Sequence, residues 1–242
     1  MSLDIRIINL DRATERRRAV EAQLRERGLD GHFVAAVDGE RHDLAEFRPF
    51  RTASSFLFRP LERGEVGCFA SHYRLWQECV ATRRPMLILE DDCVLSEGIG
   101  DVVEALPGLL DKYPYIRLAG HRLRRGKVLL GLSGGQSIRR LGKGPLGTGA
   151  YAIAAPAAAR LLRHAAVWSR PVDNYVDSFW IHGVLPLAIV PYPVGDARTA
   201  SMIGKTRYVQ NHRLHKLCRQ LCRHTHTLRR LTFKLGPAWQ HR

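Results

Sequence analysis

The chain contains no apolar run approaching the roughly 20 residues of a membrane-spanning helix, so a bilayer-crossing architecture is not expected. It opens Met1-Ser2-Leu3-Asp4 and goes straight into an apolar stretch, without the charged and apolar regions of a signal peptide. Cysteine is sparse. The five present (Cys68, Cys79, Cys93, Cys218 and Cys222) are an odd number at no disulfide-like spacing, and they read as free thiols in a reducing compartment. Together these absences predict a cytoplasmic chain. Acidic residues are missing from one region altogether: no Asp or Glu follows Asp196, while eleven Lys and Arg do. The net charge of +15 is therefore unevenly spread, and the last part of the chain predicts an anionic partner.

An apolar fraction of 45% over 242 residues suffices for one large α/β domain or two small ones. The most informative stretch is Pro85-Met86-Leu87-Ile88-Leu89-Glu90-Asp91-Asp92-Cys93. A short unbroken apolar run after proline predicts a strand buried on both faces. Three carboxylates cannot remain in that core unpaired, so the strand ends there with its acids at the C-terminal tip. Ligands of open α/β sheets bind at that tip, and clustered carboxylates suit a hard cation such as Mg²⁺ or Mn²⁺. Glu90 and Asp92 alternate along an extended chain and would share one side, while Asp91 would join them or turn to the sheet.

Around this strand the pattern alternates. Residues 5–10 and 32–37 predict strands joined by a helix capped by Asp11 or Thr14 and closed at Gly28, a βαβ unit and hence a parallel sheet. Arg12, Arg16, Arg17 and Arg18 lie near the first strand's tip, either to hold a nucleotide's anionic groups or as a solvated helix face. Residues 40–63 are irregular, as in a lid or binding segment. A helix follows from Gly64 to about Ala81, then another over Ile99–Leu110, a strand at Tyr115–Leu118, and hairpins or loops over 120–147. Residues 148–153 form a further strand, Pro156 starts the next helix, and Leu187–Val190 is the last strand. Beyond residue 203, Leu214, Leu217, Leu221, Leu228, Leu231 and Leu235 recur at three- and four-residue steps between Lys and Arg. Residues 1–203 are thus read as the main α/β domain and 204–242 as a basic amphipathic helical tail, directed at an anionic membrane surface.

Several motifs fall together in order: Asn9-Leu10-Asp11-Arg12 with Arg16, Ala35-Ala36-Val37-Asp38-Gly39, Gly64-Glu65-Val66-Gly67-Cys68 with Ser71-His72 and Trp76, the Glu90-Asp91-Asp92 strand, Thr148-x-x-Tyr151, and Pro171-Val172-Asp173. Over roughly residues 5–195 this resembles glycosyltransferase family 25, which includes lipooligosaccharide glycosyltransferases and collagen galactosyltransferases. The resemblance implies a GT-A-like, Rossmann-related α/β fold. It also implies transfer of a sugar, with inversion, from a nucleotide-sugar donor such as a UDP-sugar to a glycolipid or oligosaccharide acceptor. Galactose follows from family precedent alone.

On that resemblance the donor site comprises Asn9, Arg12, Arg16, Glu90, Asp91, His72, Thr148 and Tyr151. Asp92, Glu90 and His182 are the candidate metal ligands for Mn²⁺ or Mg²⁺. His72 reads alternatively as a hydrogen-bonded core residue, and His182 as a surface residue. Inversion needs a carboxylate to take the acceptor proton; Asp173 is the first candidate and Asp177 the second. Asp173 also fits a helix N-cap.

Other matches fail on context. Gly131-Leu132-Ser133-Gly134-Gly135 has the hydrolase elbow spacing, but Gly142, Gly144 and Pro145 interrupt the helix such an elbow needs. Gly204-Lys205-Thr206 lacks the glycine required at position 199, which is Thr. His215, Cys218, Cys222 and His226 on one continuous helix cannot surround a zinc ion. The tail lacks interleaved aromatics and a reader motif, so no nucleic-acid partner is expected.

Overall fold

The computed structural model describes residues 3–50, 60–122, 124–197 and 213–240. The elements run β1 (Asp4–Asn9), α1 (Thr14–Glu26), β2 (His32–Ala35), a 3-10 segment at Leu44–Phe50, α2 (Arg63–Thr82), β3 (Met86–Glu90), β4 (Cys93–Leu95) and α3 (Ile99–Lys112). There follow β5 (Tyr115–Arg117), β6 (Gly126–Gly131), β7 (Ser137–Leu141), β8 (Ala150–Ile153), α4 (Ala155–His164), α5 (Val172–Val176) and α6 (Phe179–His182). The chain closes with β9 (Leu187–Val190), β10 (Val194–Asp196), α7 (Arg213–Leu235) and α8 (Pro237–Gln240).

Eight strands form one sheet in the order β2-β1-β3-β8-β5-β9-β7-β6, and β4 pairs with β10 in a separate ribbon. Helices cover both faces, giving the mixed α/β, Rossmann-like arrangement of a GT-A fold. The β3 strand is buried on both sides, as its sequence requires. Met86 and Ile88 enter a core with Phe69, Trp76 and Trp168, under α2 and α4. Leu87 and Leu89 enter the opposite core with Val20, Leu24 and Leu106, under α1 and α3. Each such side chain contributes roughly 1.5–3 kcal/mol by leaving water, so the acidic tip sits on a rigid base.

The parallel expectation holds for β2, β1 and β3 and again between β5 and β9, and fails where β8 and β7 enter the sheet. Strand β8 runs antiparallel to both β3 and β5. The consequence is local to the site: Leu89 lies opposite Ala150, and the Glu90 N–H donates to the Gly149 carbonyl at 2.9 Å. A parallel β8 would have carried Thr148 to the other end of the sheet.

Helix α2 opens with a reciprocal capping box between Glu62 and Glu65. Its third turn is fastened by Ser71, whose hydroxyl accepts the Val37 N–H at 2.9 Å and donates to the Gly67 carbonyl at 2.8 Å. A side chain at Gly67 would collide with the Val37 carbonyl and the Gly39 backbone, so glycine is what lets α2 approach the end of β2.

Some local expectations are corrected. Neither Asp11 nor Thr14 caps α1, whose N-cap position is Ala13 with no side-chain bond; Gly28 does take the left-handed conformation past its end, at φ +63°. The Asp91-Asp92 pair forms a turn rather than continuing the strand, and it leads into β4 of the separate ribbon. The 120–147 region is the β6–β7 hairpin, and Ser133 sits exposed in its turn with no helix behind it. Within 40–63, residues 44–50 are helical and 51–59 lie outside the described residues, as do the 203/204 boundary and Gly204-Lys205-Thr206. His215, Cys218, Cys222 and His226 do fall on the single helix α7.

Candidate functional site

The C-terminal ends of β1 and β3, the segment after β2 and one face of α2 enclose a cleft. Arg12, Arg16, His72, Glu90, Asp91 and Asp92 all line it, with Asp38 and Cys68. Six of the residues expected in the donor and metal sites are thus brought together, although they come from three separate parts of the chain.

The three carboxylates have different environments. Glu90 Oε1 lies 2.7 Å from the Thr148 hydroxyl and 3.3 Å from His72 Nε2. Burial works against its ionisation, but these hydrogen bonds and the charge of Arg117 outweigh it, and the Glu90 pKa is lowered. Asp91 turns inward: its Oδ2 accepts from Asn9 Nδ2 at 2.8 Å and its Oδ1 from Arg16 Nη1 at 3.1 Å. Asp92 is the least balanced. Arg16 stands 3.9 Å away, and burial, Glu90, Asp196 and Asp91 together push its pKa up to about 6. A carboxylate so raised carries negative charge that a divalent cation would offset, so this donor set fits the group the sequence implies.

His72 is buried, and its partners fix its role. Trp76 Nε1 and His72 Nδ1 each lie 2.9 Å from the Tyr151 hydroxyl. Indole N–H only donates, so the Tyr151 oxygen accepts from Trp76. The ionised Glu90 only accepts, so His72 Nε2 carries a proton toward it, and in the neutral ring Nδ1 accepts from the Tyr151 hydroxyl. His72 therefore reaches the cleft and is also a hydrogen-bonded core residue. Tyr151 is fully buried and does not line the cleft; it holds His72 from behind. Asn9 similarly acts through Asp91, and Thr148 through Glu90. Arg12 is paired with Asp38 at the cleft edge.

His182 corrects both of its expectations. It is buried rather than exposed. Its Nε2 lies 3.2 Å from the carbonyls of Tyr175 and Val176, while Nδ1 accepts the Val184 N–H at 3.1 Å. Burial lowers its pKa to about 4. Both nitrogens are committed to backbone, which leaves none for a metal.

The two candidate bases also differ. Asp173 is not the N-cap of α5; Pro171 holds that position, and Asp173 Oδ1 accepts the next N–H, from Asn174, at 2.7 Å. Its charge is felt at Cys68, whose thiol is pushed well up by burial, Glu90 and Asp173 in turn. Asp177 is largely buried and accepts the Leu146 N–H at 2.8 Å, with Arg117 3.7 Å away. Arg117 in turn donates to the Leu146 carbonyl at 3.0 Å. Together they clamp the loop that leads to Thr148. Burial raises the Asp177 pKa against the pull of Arg117 and Leu146.

Sequence reading gave no site role to Cys68, Asp38 or Arg117, although the first two stand in the quoted motifs. Cys68 and His72 are four residues apart on a helix, which puts them on one face, and with Glu90 they bring a thiol, an imidazole and a carboxylate within 4.8 Å of one another. That spacing was available in the sequence. Arg117, a lone cation in an apolar strand, was a weaker signal of a buried ion pair.

Residues 3–176 match the sequence pattern of "Glycosyltransferase family 25 (LPS biosynthesis protein)". A "Glycosyltransferase 25 family member" of Aedes aegypti is 39% identical over 95 residues, 36% of this chain and 16% of its own. "Procollagen galactosyltransferase 2" of Homo sapiens is 33% identical over 96 residues, covering 37% and 15% respectively. "Inactive glycosyltransferase 25 family member 3" of Homo sapiens is 35% identical over 110 residues, covering 43% and 18%. The chain thus spans less than a fifth of these longer relatives. With the motifs assembled at the C-terminal ends of β1 and β3 and the match running unbroken from the first strand to α5, the chain belongs to glycosyltransferase family 25.

Proposed function

We propose that this glycosyltransferase is metal-dependent and inverting, and that it moves a sugar from a nucleotide diphosphate donor to a glycolipid or oligosaccharide acceptor. A UDP-sugar is the proposed donor, with galactose the sugar, as the name of the human procollagen galactosyltransferase suggests. A lipooligosaccharide-type acceptor follows the family description. The single observation that carries the reading is the acidic tip of β3, where Glu90 and Asp92 line a cleft whose other walls hold Arg12 and Arg16.

The residues divide the work. Asp92 and Glu90 would hold Mn²⁺ or Mg²⁺, which when bound offsets the charge that develops on the departing diphosphate. Asn9 and Arg16 keep Asp91 turned inward, so the turn presents Asp92 to the cleft. Thr148 and His72 fix Glu90 by donating to one oxygen. Asp173, on a short helix with a partly exposed carboxylate, takes the acceptor hydroxyl proton. The acceptor oxygen bonds to the anomeric carbon as the bond from that carbon to the phosphate oxygen breaks, and the electron pair leaves with the diphosphate. Asp177 acts through the loop it clamps.

The reading is tested by thermal shift across a panel of nucleotide sugars with and without Mn²⁺, followed by transfer to candidate acceptors. The correct donor stabilises by mass action, and only with the cation. A panel in which no nucleotide sugar shifts the melting temperature, with or without metal, would contradict it.

A further inference from the structure

We infer that helix α7 is a docking surface for an anionic lipid bilayer, presented through an outward-facing row of leucines. The helix has two unlike faces. On the inner face the Phe233 ring packs 5.5 Å from Phe179. His226 receives the Trp180 indole N–H at 3.3 Å and lies 3.1 Å from Arg170 Nη2. Trp239 of α8 stacks 5.2 Å from the same Phe179, with the Arg140 guanidinium 4.6 Å over its ring. These contacts hold α7 against α6.

The outer face exposes a row of leucines. Leu228, Leu231 and Leu235 are 62%, 51% and 75% exposed. At 3.6 residues per turn the three fall within an arc of about 60°, with Phe233 and His226 about 140–160° round from Leu228. Single exposed leucines are ordinary; a row of three on one helix face is not. These three leucines therefore do not belong to the core of the catalytic domain. The same spacing continues in the sequence through Leu221, Leu217 and Leu214, whose side chains lie outside the described residues.

Charge identifies the occupant. Arg229 is exposed on these turns, Arg230 and Lys234 are half-buried with the Lys234 ammonium 5.4 Å over the Trp239 ring, Arg213, Lys216, Arg219 and Arg223 precede them in α7, and no acid occurs after Asp196. Nucleic acid would satisfy the cations and leave the leucines in water. A second copy packed leucine to leucine would set two basic flanks against each other. An anionic bilayer takes both features: leucines enter the acyl boundary while each Lys or Arg near the headgroups contributes about 1 kcal/mol. Among the described residues no helix is long and apolar enough to cross a membrane, so α7 lies in the interface. Helix α6 follows directly on α5, which carries Asp173. On the proposed function, a docked α7 would hold the base-bearing segment near the surface from which a lipid-linked acceptor arrives.

The test is co-sedimentation of the full chain with phosphatidylcholine vesicles, with and without phosphatidylglycerol, at low and high salt. The wild type should bind only the anionic vesicles, less so at high salt. The L228S/L231S/L235S variant should bind at least ~10-fold more weakly, with an unchanged melting temperature, because the three side chains touch little of the domain. If the triple variant does not fold, Leu235→Ser alone serves, with a smaller loss expected. Absence of wild-type binding, equal binding to neutral vesicles, undiminished binding by the leucine variant, or a leucine-dependent dimer without vesicle binding would each overturn the inference. Vesicle binding needs no turnover, so an inactive preparation that sediments with anionic vesicles still supports it.

Discussion

The Tyr151 hydroxyl stands between Trp76 Nε1 and His72 Nδ1, 2.9 Å from each, and so holds the ring whose Nε2 faces Glu90. A residue with no surface on the cleft thereby controls one that lines it. Tyr151→Phe should leave the Trp76 N–H without its partner in the core, at a cost of about 1–3 kcal/mol in urea unfolding. Activity should fall further than stability explains, by roughly 10- to 100-fold, because Glu90 loses its fixed donor. Wild-type activity in a folded Tyr151→Phe enzyme would separate the chain of hydrogen bonds from the chemistry.

Asp92 yields opposite effects on stability and function. Its folded pKa of about 6 lies above the ordinary value of 3.8, so between these the folded state binds more protons than the unfolded. Stability of the metal-free protein should therefore fall as pH rises from about 4 to about 6, and the ionised carboxylate should remain destabilising above that range. Asp92→Asn should raise the melting temperature of metal-free protein at pH 7.5 by about 1–4 °C and flatten its pH dependence, while lowering transfer at least ~100-fold. Differential scanning calorimetry across this pH range checks the sign.

Removal of divalent cation with EDTA should abolish transfer by the wild type while leaving it folded, since both hydrophobic cores lie in the sheet layers behind the cleft. Readdition of Mn²⁺ or Mg²⁺ should restore the rate. Full activity in EDTA would exclude the proposed metal role for Asp92 and Glu90.

The two aspartates of the α5 region should separate cleanly. Asp173→Asn is expected to lower kcat at least ~100-fold with donor affinity retained, because the amide is nearly isosteric but cannot take a proton. Asp177→Asn should act on stability instead, since it weakens the charge interaction with Arg117 and the hold on Leu146. Single-turnover rates set beside denaturation midpoints distinguish the two. A rate loss confined to Asp177→Asn would reverse their roles.

Much of this site was legible because its signals are local. An apolar run ending in three acids admits few arrangements: the run is buried on both faces and the acids stand at its tip, and Met86–Glu90 does so. The helix beginning near Gly64, the strand at 115 and the leucine spacing of the tail were fixed in the same way by periodicity. What the sequence left open depended on contacts between distant segments. Strand direction is not encoded in the apolar pattern of Ala150–Ile153, yet its antiparallel pairing with β3 decided that Thr148 meets Glu90. Likewise Asp91 and Asp92 are the same residue type side by side. Only the arrival of Asn9 and Arg16 from 75 or more positions away turns one inward and leaves the other facing the cleft with its charge unbalanced. His182 went the other way, its nitrogens taken by backbone carbonyls and an N–H that no motif announces. Composition and periodicity thus determined which residues could be buried and where the acids had to stop, because those are one-segment free energies. Tertiary packing decided which polar atoms find partners, because that depends on chain segments meeting in space.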